Sequence, residues 1–213
     1  RYQPQFQHTS EYITLCARNA TADHINQREL NALEGPFYAF EARIEGQFDP
    51  GLYPVEPLLR LCKGARVMFV RNDNEYGEFV NGTIGTVTYL DEEGRIEVET
   101  ADGGKKRKID VPRIEWEIVR YRAGSQEGVE TEVIGSFYHY PLKLAWAITI
   151  HKSQGKTFDK VLIDLGGGAF EHGQLYVALS RCRTLEGIVL RHRVRPQDLI
   201  TDERILDFYQ KFE

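Results

Sequence analysis

Two stretches late in the chain decide the fold: residues 144–161, LAWAITIHKSQGKTFDKV, and residues 173–184, GQLYVALSRCRT. KVLIDL, at the junction between them, is typical of a buried strand, and the second stretch has the apolar spacing of a helix. GIVLRHRV then predicts another strand, and DERILDFYQKF predicts a closing amphipathic helix. Alternation of strand and helix favours an α/β domain built on a parallel sheet.

The start of the chain repeats this alternation. Residues 12–18, YITLCAR, predict a buried strand, and a helix follows that Asn19 or Thr21 can cap. Gly35-Pro36 is expected to end this helix. Its apolar residues lie roughly along one face: Ala22, Ile25, Leu30 and Leu33.

Two further local predictions concern the second half. Residues 141–155, PLKLAWAITIHKSQG, suit a helix with Pro141 in its first turn and Gly155 at its end. Arg191, Arg193 and Arg195 alternate along a predicted strand, and we expect them to share one exposed face.

The middle of the chain has a different texture. From about residue 65, short β-prone runs are separated by turn signals at Asn81-Gly82, Glu93-Gly94 and Asp102-Gly103-Gly104. Such spacing predicts a small antiparallel barrel. The expected organisation is an α/β domain over residues 1–64 and 140–213, interrupted by a β-domain over residues 65–139.

Composition limits the function classes. The 213 residues are 41% apolar and 28% charged, as in ordinary globular proteins, with a net charge of −5. No apolar run approaches the roughly 20 residues of a membrane span, so no membrane partner is expected. The three cysteines are far apart and the six histidines lack metal-ligand spacing, which favours reduced thiols, a cytoplasmic setting and no metal site. Because the chain begins at Arg1, we expect a piece of a longer protein.

A phosphate-binding loop is not predicted. Gly155-Lys156-Thr157 resembles the end of such a loop, but the position five residues before Gly155 is Ile150, not glycine. Gly103-Gly104-Lys105 is followed by Lys106 instead of Ser or Thr. Asp164 ends a buried strand as magnesium-binding acids do, but without the loop it is interpreted as structural.

The two opening stretches resemble the fifth and sixth motifs of superfamily-one DNA helicases, in the RecD-like branch that includes the Pif-type helicases. TLCARNATADHIN, residues 14–26, resembles the fourth motif of that branch. KGARVMFVRNDNEYGEFVNGTIGTV, residues 63–87, resembles the approach to its inserted SH3-like barrel. The resemblance therefore covers nearly the whole chain in the family's order. Arg18 departs from the small polar residue of many relatives, and its role stays open.

The resemblance implies a RecA-like second motor domain with an inserted SH3-like barrel. The parent protein is then expected to hydrolyse ATP with Mg²⁺ and to translocate on single-stranded DNA, which makes it DNA-associated. A first, N-terminal motor domain of the same polypeptide would carry the P-loop and most of the nucleotide and magnesium contacts, and this chain lacks its motifs. The isolated chain is expected to be inactive.

The resemblance assigns Arg181 the role of an arginine finger, because a guanidinium stabilises charge that develops during phosphoryl transfer. Gly155 offers a bare backbone to a phosphate, and it can also be an ordinary helix-ending glycine. Lys156 lies near the nucleotide in one interpretation and points into solvent in the other.

The fifth motif also supplies candidate DNA contacts, since hydroxyl, imidazole and ammonium groups are donors for backbone phosphates. The candidates are Asn19, Thr149, His151, Lys152 and Ser153. The tract Lys105–Lys108 is a second basic candidate, although a charge run is more often a solvated hairpin.

Two other interpretations remain. The chain can be a nucleic-acid-binding or interaction module with a helicase-like fold and no motor activity. It can also come from the helicase subunit of an exonuclease complex, which would share these motifs.

Overall fold

A computed structural model describes residues 1–6, 9, 11–102, 105–123 and 129–211. The chain divides into two compact units, unit 1 (residues 1–31 and 145–213) and unit 2 (residues 32–144). Among the described residues, no helix has the length and apolar character needed to cross a membrane.

The helices are α1 (Asn19–Asn31), α2 (Gln174–Leu179) and α3 (Glu203–Gln210). The strands are β1 (Ile13–Cys16), β2 (Tyr38–Glu41), β3 (Arg43–Gly46), β4 (Leu58–Leu61), β5 (Arg66–Phe69), β6 (Ile84–Leu90), β7 (Ile96–Asp102), β8 (Lys105–Asp110), β9 (Ile114–Ala123), β10 (Val129–His139), β11 (Leu142–Leu144), β12 (Ala147–Thr149), β13 (Val161–Asp164) and β14 (Ile188–Leu190).

Unit 1 is built on the parallel sheet that the alternating pattern predicts. Its strand order is β12-β1-β13-β14, and every pairing in it is parallel. All residues of β1, β12 and β13 are buried, as expected for strands covered on both faces.

Helix α1 covers this sheet through the predicted apolar face, since Ala22, Ile25 and Leu30 are buried. A polar residue on the same face fastens the helix to edge strand β12. Asn26 Nδ2 donates to the Ala147 carbonyl, and Asn26 Oδ1 accepts from the Ala147 N–H, each at 2.9 Å. The edge strand's backbone is thereby satisfied without another strand. The helix ends at Asn31, four residues before the predicted Gly35.

The helix predicted over residues 141–155 is wrong. The segment forms β11, then β12, then a 3₁₀ turn over His151–Ser153. Residues 145–150 are all buried, so the run has no solvent face. Periodicity cannot separate a fully buried strand from a buried helix, and β-branched Ile148, Thr149 and Ile150 favour the strand.

The prediction that Arg191, Arg193 and Arg195 share one exposed strand face is also wrong, because β14 ends at Leu190. Arg191 pairs with Asp164, with Nη1 3.3 Å from Oδ2. The guanidinium of Arg193 lies 5.1 Å from the ring centroid of Tyr2. Arg195 pairs with the buried Asp198. Each arginine therefore has its own partner.

Unit 2 consists of antiparallel sheets. One has the order β11-β5-β6-β7-β8, a second β3-β10-β9, and β2 pairs with β4. Gly82 and Gly94 have positive φ at two of the predicted turns, whereas Gly103-Gly104 lies outside the described residues. Unit 2 includes residues 32–64. The predicted domain boundaries at 64/65 and 139/140 stay a prediction.

Candidate functional site: the carboxyl edge of the parallel sheet

The carboxyl ends of parallel strands meet at one edge of the sheet in unit 1. β1 leads into Arg18 and Asn19, β12 leads into the turn over residues 150–153, and β13 ends at Asp164. Ligands of open α/β sheets bind outside such an edge. We call this region the carboxyl edge.

Three of the predicted DNA contacts lie together on the surface there. Lys152 Nζ donates to Asn19 Oδ1 at 3.3 Å, which joins the end of β1 to the turn after β12. His151 is exposed beside Lys152 in the same turn. An amide oxygen does not neutralise an ammonium, so the Lys152 charge stays available to an anion.

The two predicted hydroxyl contacts are buried. Ser153 has no exposed surface, and its Oγ donates to the Ile150 carbonyl at 2.6 Å. Thr149 is 6% exposed, and its Oγ1 accepts from the Lys152 N–H at 3.4 Å. In this structure both hydroxyls shape the turn that presents His151 and Lys152.

Gly155 and Lys156 follow that turn. Gly155 has φ +74°, a left-handed conformation that favours glycine, and an added Cβ would have nothing within 4 Å. Lys156 is half-buried, and burial lowers the pKa of its ammonium. Residues 156–160 contain no helix, so the triplet does not begin one as a P-loop requires.

Arg181 lies just past the end of α2, and its guanidinium is held by neutral oxygens. Nε donates to the Val177 carbonyl at 3.1 Å, Nη1 to the Lys156 carbonyl at 3.3 Å, and Nη2 to Ser180 Oγ at 2.8 Å. Among the described residues, its hydrogen bonds and ion pairs include no acid. The fork is therefore oriented while its positive charge remains uncompensated.

A short backbone ladder joins the two motifs. Phe158 bridges Cys182 in parallel fashion; the Phe158 N–H donates to the Arg181 carbonyl at 2.8 Å, and the Arg183 N–H donates to the Phe158 carbonyl at 3.1 Å. We call this pairing the bridge. Its hydrogen bonds tie the segment that follows Gly155-Lys156 to the backbone of Arg181 and Arg183.

Asp164 has structural partners, in line with its sequence-based interpretation. Its Oδ2 pairs with Arg191, its Oδ1 lies 3.2 Å from His192 Nε2, and Oδ1 accepts from the Gly166 N–H at 3.0 Å. Burial raises the pKa of the neighbouring Cys16 thiol to about 12, and the negative charge of Asp164 is the second cause. No group of three or more His, Cys, Asp or Glu among the described residues could hold a metal ion.

The basic tract Lys105–Lys108 lies on β8 of unit 2 and is mostly neutralised. Lys106 Nζ lies 2.8 Å from Glu99, Lys108 Nζ 2.8 Å from Glu97, and an Arg107 nitrogen 2.6 Å from Glu78. We call this segment the basic strand.

Sequence reasoning missed two residues of the carboxyl edge, Phe170 and Gln174. Phe170 is 44% exposed, and the guanidinium of Arg18 lies 4.5 Å from its ring centroid. Gln174 is buried and links the Phe170 loop to the end of β1. Gln174 lies inside the 173–184 stretch but was not singled out, and the only signal for Phe170 was its position just before that stretch.

Comparison with known proteins agrees with this geometry. Residues 144–189 match the model of the UvrD-like helicase C-terminal domain. The ATP-dependent DNA helicase Pif1 of Psychrobacter sp. is 37% identical over 224 aligned positions, covering 83% of this chain and 33% of that protein.

Two solved structures are similar throughout the chain. Unliganded Pif1 from Bacteroides sp. has a TM-score of 0.83 and 40% identity, covering 97% of this chain and 46% of the other. Bacteroides Pif1 in complex with ADP-AlF3 and single-stranded DNA has a TM-score of 0.76 and 39% identity, covering 99% and 47%. The chain spans about a third of the curated relative and less than half of these solved chains.

Proposed function

Because the chain belongs to the Pif-type branch of superfamily-one helicases and corresponds to their C-terminal half, with a RecA-like parallel-sheet fold, we propose that it is the C-terminal motor half of an ATP-dependent DNA helicase. Its partners are single-stranded DNA and a P-loop motor domain of the same polypeptide. The parent protein translocates on the DNA strand and unwinds duplex ahead of it.

The observation that carries this proposal is the state of Arg181. Its guanidinium is fixed by two carbonyls and a hydroxyl, one of the carbonyls belonging to Lys156, and no acid neutralises it. A carboxylate partner would have neutralised the guanidinium as well as fixing it. A finger needs the opposite: a fixed position and a free charge, directed at charge that develops in the transition state.

Unit 1 supplies a share of the nucleotide contacts in this proposal. Bound ATP supplies the phosphoanhydride bond whose hydrolysis drives the cycle. The Gly155 N–H, the Lys156 ammonium and the Arg181 guanidinium can approach phosphate oxygens from one side. We assign Mg²⁺ mainly to the first motor domain, because the described residues offer no cluster of metal ligands.

DNA contact is assigned to Asn19, His151 and Lys152 on the surface, with Thr149 and Ser153 holding the turn beneath them. Such contacts reach phosphates and carry no base identity, which suits a motor on any sequence. The antiparallel strands β5–β8 are proposed to form part of the SH3-like barrel, an insertion within residues 65–139; β11, which pairs with β5, lies just past that range.

The test compares the parent enzyme with the 213-residue chain. The parent should show DNA-stimulated ATP hydrolysis and unwinding, whereas the chain alone should bind single-stranded DNA weakly and hydrolyse nothing measurable. Hydrolysis that copurifies with the chain through further steps would contradict the proposal. A parent that binds DNA but never hydrolyses ATP would instead establish the alternative, a binding module without a motor.

A further inference from the structure

One aromatic ring at the carboxyl edge has no role in the helicase chemistry described above. Phe170 follows the glycine turn after β13 and is 44% exposed. Arg18, also exposed, places its guanidinium 4.5 Å from the ring centroid. Arg18 directly precedes Asn19, one of the proposed phosphate contacts. The ring and the phosphate contacts therefore share one surface.

The loop that carries Phe170 is fixed by buried polar groups. The Phe170 N–H donates to Gln174 Oε1 at 3.1 Å, and Gln174 Nε2 donates to the Ala17 carbonyl at 3.3 Å. The preceding Ala169 N–H donates to Asp198 Oδ1 at 3.2 Å. Gln174 and Asp198 are only 6% and 2% exposed. These hydrogen bonds hold the backbone that carries the Phe170 ring in one position.

We propose that Phe170 and Arg18 form a stacking platform for one unpaired base of single-stranded DNA, next to the phosphate contacts of Asn19, His151 and Lys152. This inference rests on the proposed function and adds a base contact to it. Every base has a π-face, so an exposed ring binds single strands without sequence preference. Bases in a duplex are stacked on each other and cannot use it.

Arg18 has a definite part in this arrangement. Its planar guanidinium restrains the ring through a cation–π contact and can itself cover the edge of a stacked base. This gives a physical role to the position where the chain departs from many relatives. Gln174 acts as a positioning residue, because it reaches the ring only through the Phe170 backbone.

The experiment uses an abasic strand as its probe. Fluorescence anisotropy measures binding of the full 213-residue chain to an oligothymidylate and to an abasic oligonucleotide of the same length. Phosphate contacts treat the two alike, whereas stacking favours the strand with bases by roughly tenfold per base, within the range known for base–aromatic stacking. Phe170→Leu should abolish this preference, and Phe170→Trp should keep it.

Tyr176→Leu is the matched control, since Tyr176 is an aromatic side chain that is 75% exposed on α2 of the same unit. It should leave the preference unchanged. Phe170→Leu should also leave the salt dependence of oligothymidylate binding intact, because no phosphate contact is removed. Arg18→Gln should reduce the preference, and it decides the question if Phe170→Leu lowers the thermal unfolding temperature.

The outcomes separate the two proposals. Equal binding of both strands by the unaltered chain, or a preference that survives Phe170→Leu, overturns the stacking platform while the phosphate contacts stand. Failure to bind either strand overturns the assigned DNA surface as a whole, the platform included.

Discussion

Arg181 and Arg107 carry the same guanidinium in opposite surroundings. Arg181, just past the end of α2 in unit 1, is held by carbonyl and hydroxyl oxygens, and Lys152 at the carboxyl edge is held by an amide oxygen. On the basic strand of unit 2, Arg107, Lys106 and Lys108 each contact a glutamate. A neutral acceptor orients a cation and leaves its positive charge in place. A carboxylate also neutralises that charge, so the cation attracts a phosphate less strongly.

Under the proposed function, a basic run in a sequence is a poor guide to phosphate binding. Lys105–Lys108 is the densest cluster of positive charge in the chain, yet a phosphate would have to displace three glutamates there. Unit 1 has fewer clustered cations, but Lys152 and Arg181 are oriented by neutral oxygens and keep their positive charge. Where charge is left over decides where an acidic protein can bind DNA.

The largest expected effect is on hydrolysis. Arg181→Ala in the parent enzyme should lower DNA-stimulated ATPase activity by about 10³-fold or more, because fingers act on charge that develops during phosphoryl transfer. Arg181→Lys should rescue poorly, since an ammonium lacks the guanidinium fork. Steady-state ATPase assays at saturating DNA measure this, with Arg107→Ala as the compensated control. Near-normal turnover of Arg181→Ala would remove the finger assignment.

The next effect concerns DNA affinity. Lys152→Ala should weaken binding of single-stranded DNA to the chain and reduce the slope of log K against log[salt] by about 1, as loss of one phosphate contact does. Lys106→Ala on the basic strand should leave the slope unchanged. Salt titrations by fluorescence anisotropy compare the two, and equal losses in both variants would mean that the glutamates do not silence the basic strand.

A gain of binding should follow from uncovering the basic strand. Glu97→Gln with Glu99→Gln removes the partners of Lys108 and Lys106. We expect single-stranded DNA affinity to rise several-fold at low salt, with a steeper salt dependence, as roughly two more phosphates are neutralised. Glu92→Gln with Glu93→Gln, two exposed acids of the turn after β6 that form no ion pair among the described residues, controls for the same change in net charge. Equal affinity gains in both would contradict the compensation argument.

The smallest effect is on stability. Lys108, first, and then Thr88 hold the pKa of Glu97 below its usual value. The carboxylate therefore contributes stability above its unfolded pKa, and this contribution is lost as pH falls through the lowered folded pKa. Glu97→Gln should lower the unfolding temperature slightly at pH 7. It should not lower it at a pH where Glu97 is protonated in both the folded and the unfolded chain. Thermal unfolding across this pH range measures the difference, and a gap that persists at the acidic end would point to packing instead.

The parallel sheet and the β-rich middle could be predicted from the sequence, because alternation and turn residues are local signals. The structure of residues 141–155 could not, because an apolar run that is buried on both faces shows no hydrophobic periodicity. The same limit applies to Thr149 and Ser153: their residue type suggested phosphate donors, and only their depth shows that they hold the turn. The surroundings of Arg191 and Lys108 depend on acidic partners that lie 27 and 11 residues away in the sequence.

The bridge between Phe158 and Cys182 also has a mechanical consequence. Two backbone hydrogen bonds tie the segment that follows the 150–153 turn to the residues that follow α2. Under the proposed function, a shift of the turn that presents Lys152 would therefore move the Lys156 carbonyl that holds Arg181. Coupling of this kind is reciprocal, so grip on the track and readiness for hydrolysis would rise and fall together.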